Sequence, residues 1–155
     1  MKLAFIYGDR LSSKLTFFFT RSRCFHVAFT DTYYQWDMHL LVRRRLWPQY
    51  PEKNVILVDC PVEVSVADLE YELSTAEYTY SFLDYALFAL RPLYHLFGKS
   101  TRNMNGKICS EFVADVLKSK GWKHEFKEVP SPADMEEVLL GKRNAICQIP
   151  PYSVK

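Results

Sequence analysis

The stretch "CFHVAFTDTYYQWDMHL", residues 24–40, decides the fold. Two runs of aromatic and β-branched residues flank a polar break at Asp31-Thr32, which is the pattern of a β-hairpin. With an even-numbered turn centred between Thr32 and Tyr33, paired residues sum to 65. That register gathers His26, Ala28, Thr30, Gln35, Asp37 and His39 on one face. Val27, Phe29, Tyr34, Trp36, Met38 and Leu40 fall on the other. A slip of one residue would mix the two sets, so the polarity pattern itself selects the pairing. His26 and His39 then become direct cross-strand neighbours.

Outward from the hairpin, the first half of the chain reads as strands and the second as helices, an α+β arrangement. "MKLAFIYGDR" supplies a first strand. "NVILVDC", almost wholly apolar, reads as a further strand and a central one. The run Arg43-Arg44-Arg45 follows the hairpin and reads as a solvated strand end. "SVADLEYELSTAEY" carries Ser65 and Asp68 at capping-box spacing and sets Leu69, Leu73 and Ala76 on one helical face. "SFLDYALFALRP" repeats the device with Ser81 and Asp84, and Pro92 ends that helix. "PSPADMEEVLLG" is a short helix entered through Pro132 and closed by Gly141, and "NAICQIP" is a last strand. No repeat or linker divides the chain, so one domain over residues 1–155 is expected.

The helix in "NGKICSEFVADVLKSKGW", residues 105–122, carries the chemistry. Cys109, Phe112, Val113, Val116 and Leu117 recur at helical spacing and form one apolar stripe. Asn105-Gly106 turns the chain into the helix, and Gly121 ends it. Cys109 thus occupies the first turn. There the macrodipole and free N–H groups favour thiolate over thiol and can hold an oxyanion. Core filler, metal ligand and nucleophile all remain open for such a cysteine, and its partners decide among them.

A nucleophile needs a base, and histidine is the side chain suited to that task near neutrality. His95 and His124 lie outside any polar constellation and read as structural. His26 and His39 share the polar hairpin face with Asp37, which gives a base and a residue to orient it, the logic of a Cys-His-His or Cys-His-Asp triad. A zinc site built from His26, His39 and a cysteine, and a merely solvated polar face, are the rival readings.

Composition narrows the classes. Twenty basic and 18 acidic residues leave a formal charge of +2, too balanced to indicate nucleic-acid binding. Cys24, Cys60, Cys109 and Cys147 form no Cys-x-x-Cys pair, which points to reduced thiols rather than a zinc ribbon or a disulfide scaffold. The amino terminus lacks the long apolar region of a secretory signal, and no run of apolar residues is long enough to span a membrane, so a cytoplasmic location is expected. The apolar segments "KLTFFFTR" and "YALFALRPLYHLF" read as core in preference to membrane contact.

The order "CFHVAF", a polar strand, "ICSEFVADVLKSKGW" and "PSPADM" resembles the circularly permuted branch of the NlpC-type papain-like cysteine hydrolases, related to the lecithin retinol acyltransferase branch. In that branch the histidine strand precedes the cysteine helix. "HVAF" is similar to the family's Ser-His-Val-Gly-Ile strand and "CSEFV" to its Cys-Ser-Glu-Leu-Val helix start. "FLDYALF" resembles the Tyr-Asp-rich helix ahead of the cysteine, and "YGDRLSSKLTFFFTRSRCFH" the strand and helix leading to the histidine. Phe25, where the family has a small serine, and "FLDY", in place of a plainer Tyr-Asp pair, depart from the pattern.

The resemblance implies a papain-like fold in which an antiparallel sheet packs on helices. It implies Cys109 as nucleophile, His26 as general base, and His39 or Asp37 as the third member, with backbone donors at Cys109 in an oxyanion hole. The implied reaction is hydrolysis of an amide or peptide bond through a thioester, with no cofactor. Cell-wall peptides, isopeptides and lipid acyl chains are substrates among relatives. A lipid acyl hydrolase or acyltransferase and a non-catalytic binding module are the alternatives.

Overall fold

The structure is a computed structural model that describes residues 1–8, 20, 22–38, 42–51, 54–75, 96, 107–126 and 128–141. Among the described residues five strands form one antiparallel sheet: β1 (Lys2–Tyr7), β2 (Cys24–Thr30), β3 (Tyr34–Met38), β4 (Val42–Leu46) and β5 (Val55–Asp59). Their spatial order is β4-β3-β2-β1-β5. Among the described residues three helices follow: α1 (Val66–Thr75), α2 (Cys109–Ser119) and α3 (Pro132–Leu140). The chain is therefore α+β, as its pattern of periods indicates.

The hairpin has the register read from its polarity. Phe29 pairs with Trp36 and Thr30 with Gln35. Asp31 closes the turn, accepting from the Tyr33 and Tyr34 amides through Oδ1, each at 2.6 Å, the usual role of aspartate at such a position. One face of the sheet meets the helices. Leu3, Phe5, Val27, Phe29, Trp36 and Met38 pack there with Leu69 of α1, Phe112, Val113, Val116 and Leu117 of α2, and Met135 of α3. Phe5, Phe29, Trp36 and Phe112 are among the largest fully buried side chains. Removing each from water contributes about 1.5–3 kcal/mol. The other face carries a smaller apolar group, Ala4, Ile6 and Val55, flanked by Phe25, Trp47, Tyr50 and Leu57.

Two expectations need correction. Among the described residues β5 lies at an edge, paired only with β1 in the sheet order, rather than at the centre. Its run is apolar, yet Ile56, Leu57 and Val58 are only half-buried. The arginine run is no solvated strand end but the middle of a separate strand. β4 pairs with β3, setting Asp37 opposite Arg43, Trp36 opposite Arg44 and Gln35 opposite Arg45. Alternation sends the arginines to both faces, and each meets a carboxylate. Arg44 Nη1 donates to Glu70 Oε1 at 3.0 Å, while Arg43 and Arg45 turn to Asp37.

The helix ends follow their sequence signals. Ser65 and Asp68 cap α1 reciprocally, with the Ser65 amide donating to Asp68 Oδ2 at 2.9 Å and the Asp68 amide to Ser65 Oγ at 3.2 Å. Lys120, just beyond α2, donates to Asp68 Oδ1 at 2.6 Å and ties the two helices. Ser131 caps α3 in the same way with Asp134. Gly141 closes α3 at φ +68°, a left-handed conformation that glycine adopts without penalty. The expected helix over 81–92, the expected last strand over 144–150, Ala76, His39, His95 and Cys147 lie outside the described residues. No helix among the described residues is long and apolar enough to cross a membrane.

Candidate active site

Two structural devices bring the site together, a helix start and a bulge. α2 begins at Cys109 with its whole stripe buried, so the cysteine is fixed at the end of an anchored helix. The Ile108 amide donates to Glu111 Oε2 at 3.0 Å, half of a capping box. Ser110, fully buried, donates from Oγ to the Pro130 carbonyl at 2.6 Å and ties the first turn of α2 to the segment before α3. The first N–H groups of a helix have no intrahelical acceptor.

On β2 the pairing with β1 passes from Ile6 opposite His26 to Tyr7 opposite Cys24, with an irregularity between Ile6 and Tyr7. Phe25 is the extra residue of this bulge, which turns the strand locally. Cys24 and Tyr7 therefore join the helix-side core with Cys109. His26 shares the opposite strand face with Gln35 and Asp37, as the alternation requires. It is 7% exposed.

His26 links the two sides. Its Nε2 lies 3.1 Å from Asp37 Oδ2, and Cys109 comes close enough to the ring to act on its charge. With Nε2 given to the carboxylate, Nδ1 is the nitrogen left for the thiol. Burial works against a charge on the ring. The nearness of Cys109 and the hydrogen bond and charge of Asp37 outweigh it, holding the imidazole proton well above the usual 6.5. The neighbouring rings are Phe25, stacked at 6.4 Å between centroids, and Tyr50, also at 6.4 Å.

Asp37 is wholly buried. Its Oδ2 accepts from His26, from Gln35 Nε2 at 2.6 Å and from Arg45 Nη2. Its Oδ1 accepts from Arg43 Nε at 3.3 Å. Burial alone would favour the neutral acid. His26 and then Arg45 override it and hold the carboxyl well below the usual 3.8. A buried aspartate with this many donors stays ionised and keeps its orientation.

The competing thiols differ. Burial, reinforced by Glu136 and Cys109, pushes Cys24 well above the usual 9.0. Burial also pushes Cys60 up to about 11, against the pull of the amino terminus. Both are held as thiols.

Of the residues expected from sequence, Cys109, His26 and Asp37 come together, and His39 lies outside the described residues. His124 packs among aromatic rings, 5.2 Å from Trp122 and 4.6 Å from Phe126, away from the cysteine. Among the described residues no three His, Cys, Asp or Glu side chains gather so as to hold a metal ion.

Two features escaped the sequence reading. Arg43 and Arg45 contact Asp37, and extending the antiparallel register past Met38 would have paired them with the polar face. Glu136 is the other. It is fully buried, accepting from Tyr7 Oη at 2.6 Å and from Ser22 Oγ at 2.5 Å. Ser22 Oγ in turn accepts from the Cys24 amide at 3.0 Å. Glu136 thereby joins α3 to β1 and β2 at the bulge that sets His26. Its signal was a charged residue at helical spacing with Ala133 and Leu140, on the buried side of α3. No family model, no curated protein and no solved structure matches this chain.

Proposed function

We propose that the chain is a thiol-dependent hydrolase of amide or peptide bonds, with the permuted NlpC-type papain-like arrangement that its sequence order resembles. The observation that carries this reading is the bond between His26 and Asp37 in a buried site that brings Cys109, at the start of a buried helix, within electrostatic reach of the imidazole. Histidine strand before cysteine helix, with an antiparallel sheet packed on helices, supports the same reading.

The chemistry follows from the atoms. Asp37 keeps a proton on His26 Nε2, so Nδ1 exchanges protons with the Cys109 sulfur. Transfer of the thiol proton to Nδ1 leaves a thiolate beside an imidazolium, which Asp37 stabilises. Sγ attacks the carbonyl carbon, and the carbonyl oxygen takes up negative charge toward the amide N–H groups at the start of α2. The C–N bond breaks as Nδ1 returns its proton to the leaving nitrogen, giving a free amine and a thioester on Cys109. Water then attacks the thioester with His26 as base, and the acid and the free thiol are released. Arg43, Arg45 and Gln35 spare Asp37 from exchanging protons itself.

The test is intact-protein mass spectrometry with short peptide amide and acyl thioester probes, and with phospholipid vesicles in a parallel arm. The expected result is an acyl adduct on Cys109 that decays with product release and is lost in Cys109→Ala. Its formation slows strongly in His26→Ala. Failure of every probe to acylate Cys109 contradicts the reading. Acylation from the vesicles alone would replace the peptide substrate by a lipid.

A further inference from the structure

Arg45 makes more contacts at the site than a surface ion pair requires. Its Nη2 donates to Asp37 Oδ2, the oxygen that also receives His26 Nε2 and Gln35 Nε2. Its guanidinium also lies within electrostatic reach of Tyr50, whose ring stands beside that of His26. One side chain thus holds the carboxylate at the imidazole Nε2 and neighbours the aromatic ring beside it. The planar fork of arginine suits this bridging, because its donors diverge at fixed angles. The side chain is 22% exposed, and Gln35 lies directly across from it in the sheet.

The arrangement carries a penalty. Arg45 Nε is buried without a hydrogen-bond partner among the described residues, and so is Gln35 Oε1. Buried polar atoms are nearly always satisfied, so both atoms set a cost against the ion pair that Arg45 makes. Arg43 differs. Its side chain is 38% exposed, and it reaches only the other carboxylate oxygen, at 3.3 Å.

We propose that Arg45 is a positioning residue for the base: it fixes the Asp37 carboxylate and the Tyr50 ring around His26, so that Nδ1 stays aimed at Cys109. This rests on the reading of Cys109 and His26 as nucleophile and base. The charged and titratable groups facing Asp37 are His26 from β2 and Arg43 and Arg45 from β4. Among the described residues, those facing His26 include Asp37, Cys109 from α2 and Tyr50 from beyond β4. Removing Arg45 takes one of the three positively charged partners from Asp37, so the carboxylate is protonated at higher pH and the base loses its anchor there.

The experiment measures two quantities in wild type, Arg45→Met, Arg45→Lys and, as a control on the opposite face, Arg44→Met. One is the pH profile of iodoacetamide reaction at Cys109. The other is the titration of the Asp37 side-chain carboxyl by carbon NMR. In Arg45→Met the Asp37 titration moves up by about one unit or more, and the acid limb of the alkylation profile moves with it. Arg45→Lys keeps the charge and therefore the wild-type acid limb, but its single ammonium cannot span Asp37 and Tyr50, so the plateau rate falls about three- to tenfold. Arg44→Met leaves both as in wild type.

An unshifted acid limb in Arg45→Met, or a wild-type plateau rate in Arg45→Lys, overturns the proposal. The lysine variant decides the matter if the methionine variant does not fold. If wild-type Cys109 reacts no differently in His26→Ala, the reading of the nucleophile and base fails instead, and the Asp37 titration still reports whether Arg45 governs the carboxylate.

Discussion

Replacement of Asp37 by asparagine preserves the side chain's shape and removes its charge, which isolates what the carboxylate does. In wild type the group is fully buried and accepts from His26, Gln35, Arg43 and Arg45. An asparagine carries one oxygen for these donors and presents an NH2 to the rest. Breaking a buried pair from one side costs about 3–5 kcal/mol. Arg43 and Arg45 keep 38% and 22% exposure and can turn partly to water, so the lower end, about 3 kcal/mol, applies.

The pH dependence has a fixed sign. The folded state depresses Asp37 below its usual 3.8. Its stabilisation is therefore complete above that value and is lost as pH falls through it toward the folded value. Each pH unit below 3.8 removes about 1.4 kcal/mol of the difference between wild type and variant. Urea denaturation of both proteins near pH 6 and again near pH 3 measures it. The expected gap is about 3 kcal/mol near pH 6 and about 2 kcal/mol near pH 3. A gap below about 1 kcal/mol near pH 6, or one that does not narrow in acid, would refute the reasoning.

Two further outcomes follow from the buried polar atoms. Glu136→Ala strands the Tyr7 and Ser22 hydroxyls, and a loss of about 2–4 kcal/mol is expected by denaturant titration. Glu136→Gln, which can still accept, loses less, and equal losses in the two variants would show that packing alone matters there. Ser110→Ala leaves the Pro130 carbonyl without its donor, with an expected loss of about 1–2 kcal/mol. Cys109 alkylation should slow several-fold as the first turn of α2 loosens, and an unchanged rate would mean that the turn is held elsewhere.

The hairpin was legible because polarity alternates strictly through residues 26–38, leaving one register that buries Val27, Phe29, Trp36 and Met38 together. That same register placed His26 and Asp37 on one face, diagonal to each other, and the diagonal neighbour is the residue that bonds the base. The stripe of α2 was legible for the same reason, since Phe112, Val113, Val116 and Leu117 admit only one buried side.

β4 was not legible. His39, Leu40 and Leu41 include no Gly, Pro, Asn or Asp to mark a break, and three successive arginines resemble a surface tract until a partner strand divides them between two faces. The place of β5 at the edge of the described strands is a property of topology. An apolar run tells how much a strand buries against its neighbours but not on how many sides it has them. Glu136 was hidden by its type, because a carboxylate is read as solvated unless its hydrogen-bond partners, here Tyr7 and Ser22 from distant parts of the chain, are known.

The central claim is that Cys109 is activated by His26. The most direct measurement is the site-resolved rate of iodoacetamide reaction at every cysteine of the folded protein near neutral pH, in wild type and in His26→Ala. The account predicts that Cys109 reacts first, well ahead of Cys24 and Cys60, and that His26→Ala slows it by about tenfold or more without changing the others. Reaction of Cys109 at the pace of Cys24 and Cys60, or at the same rate with and without His26, would contradict it.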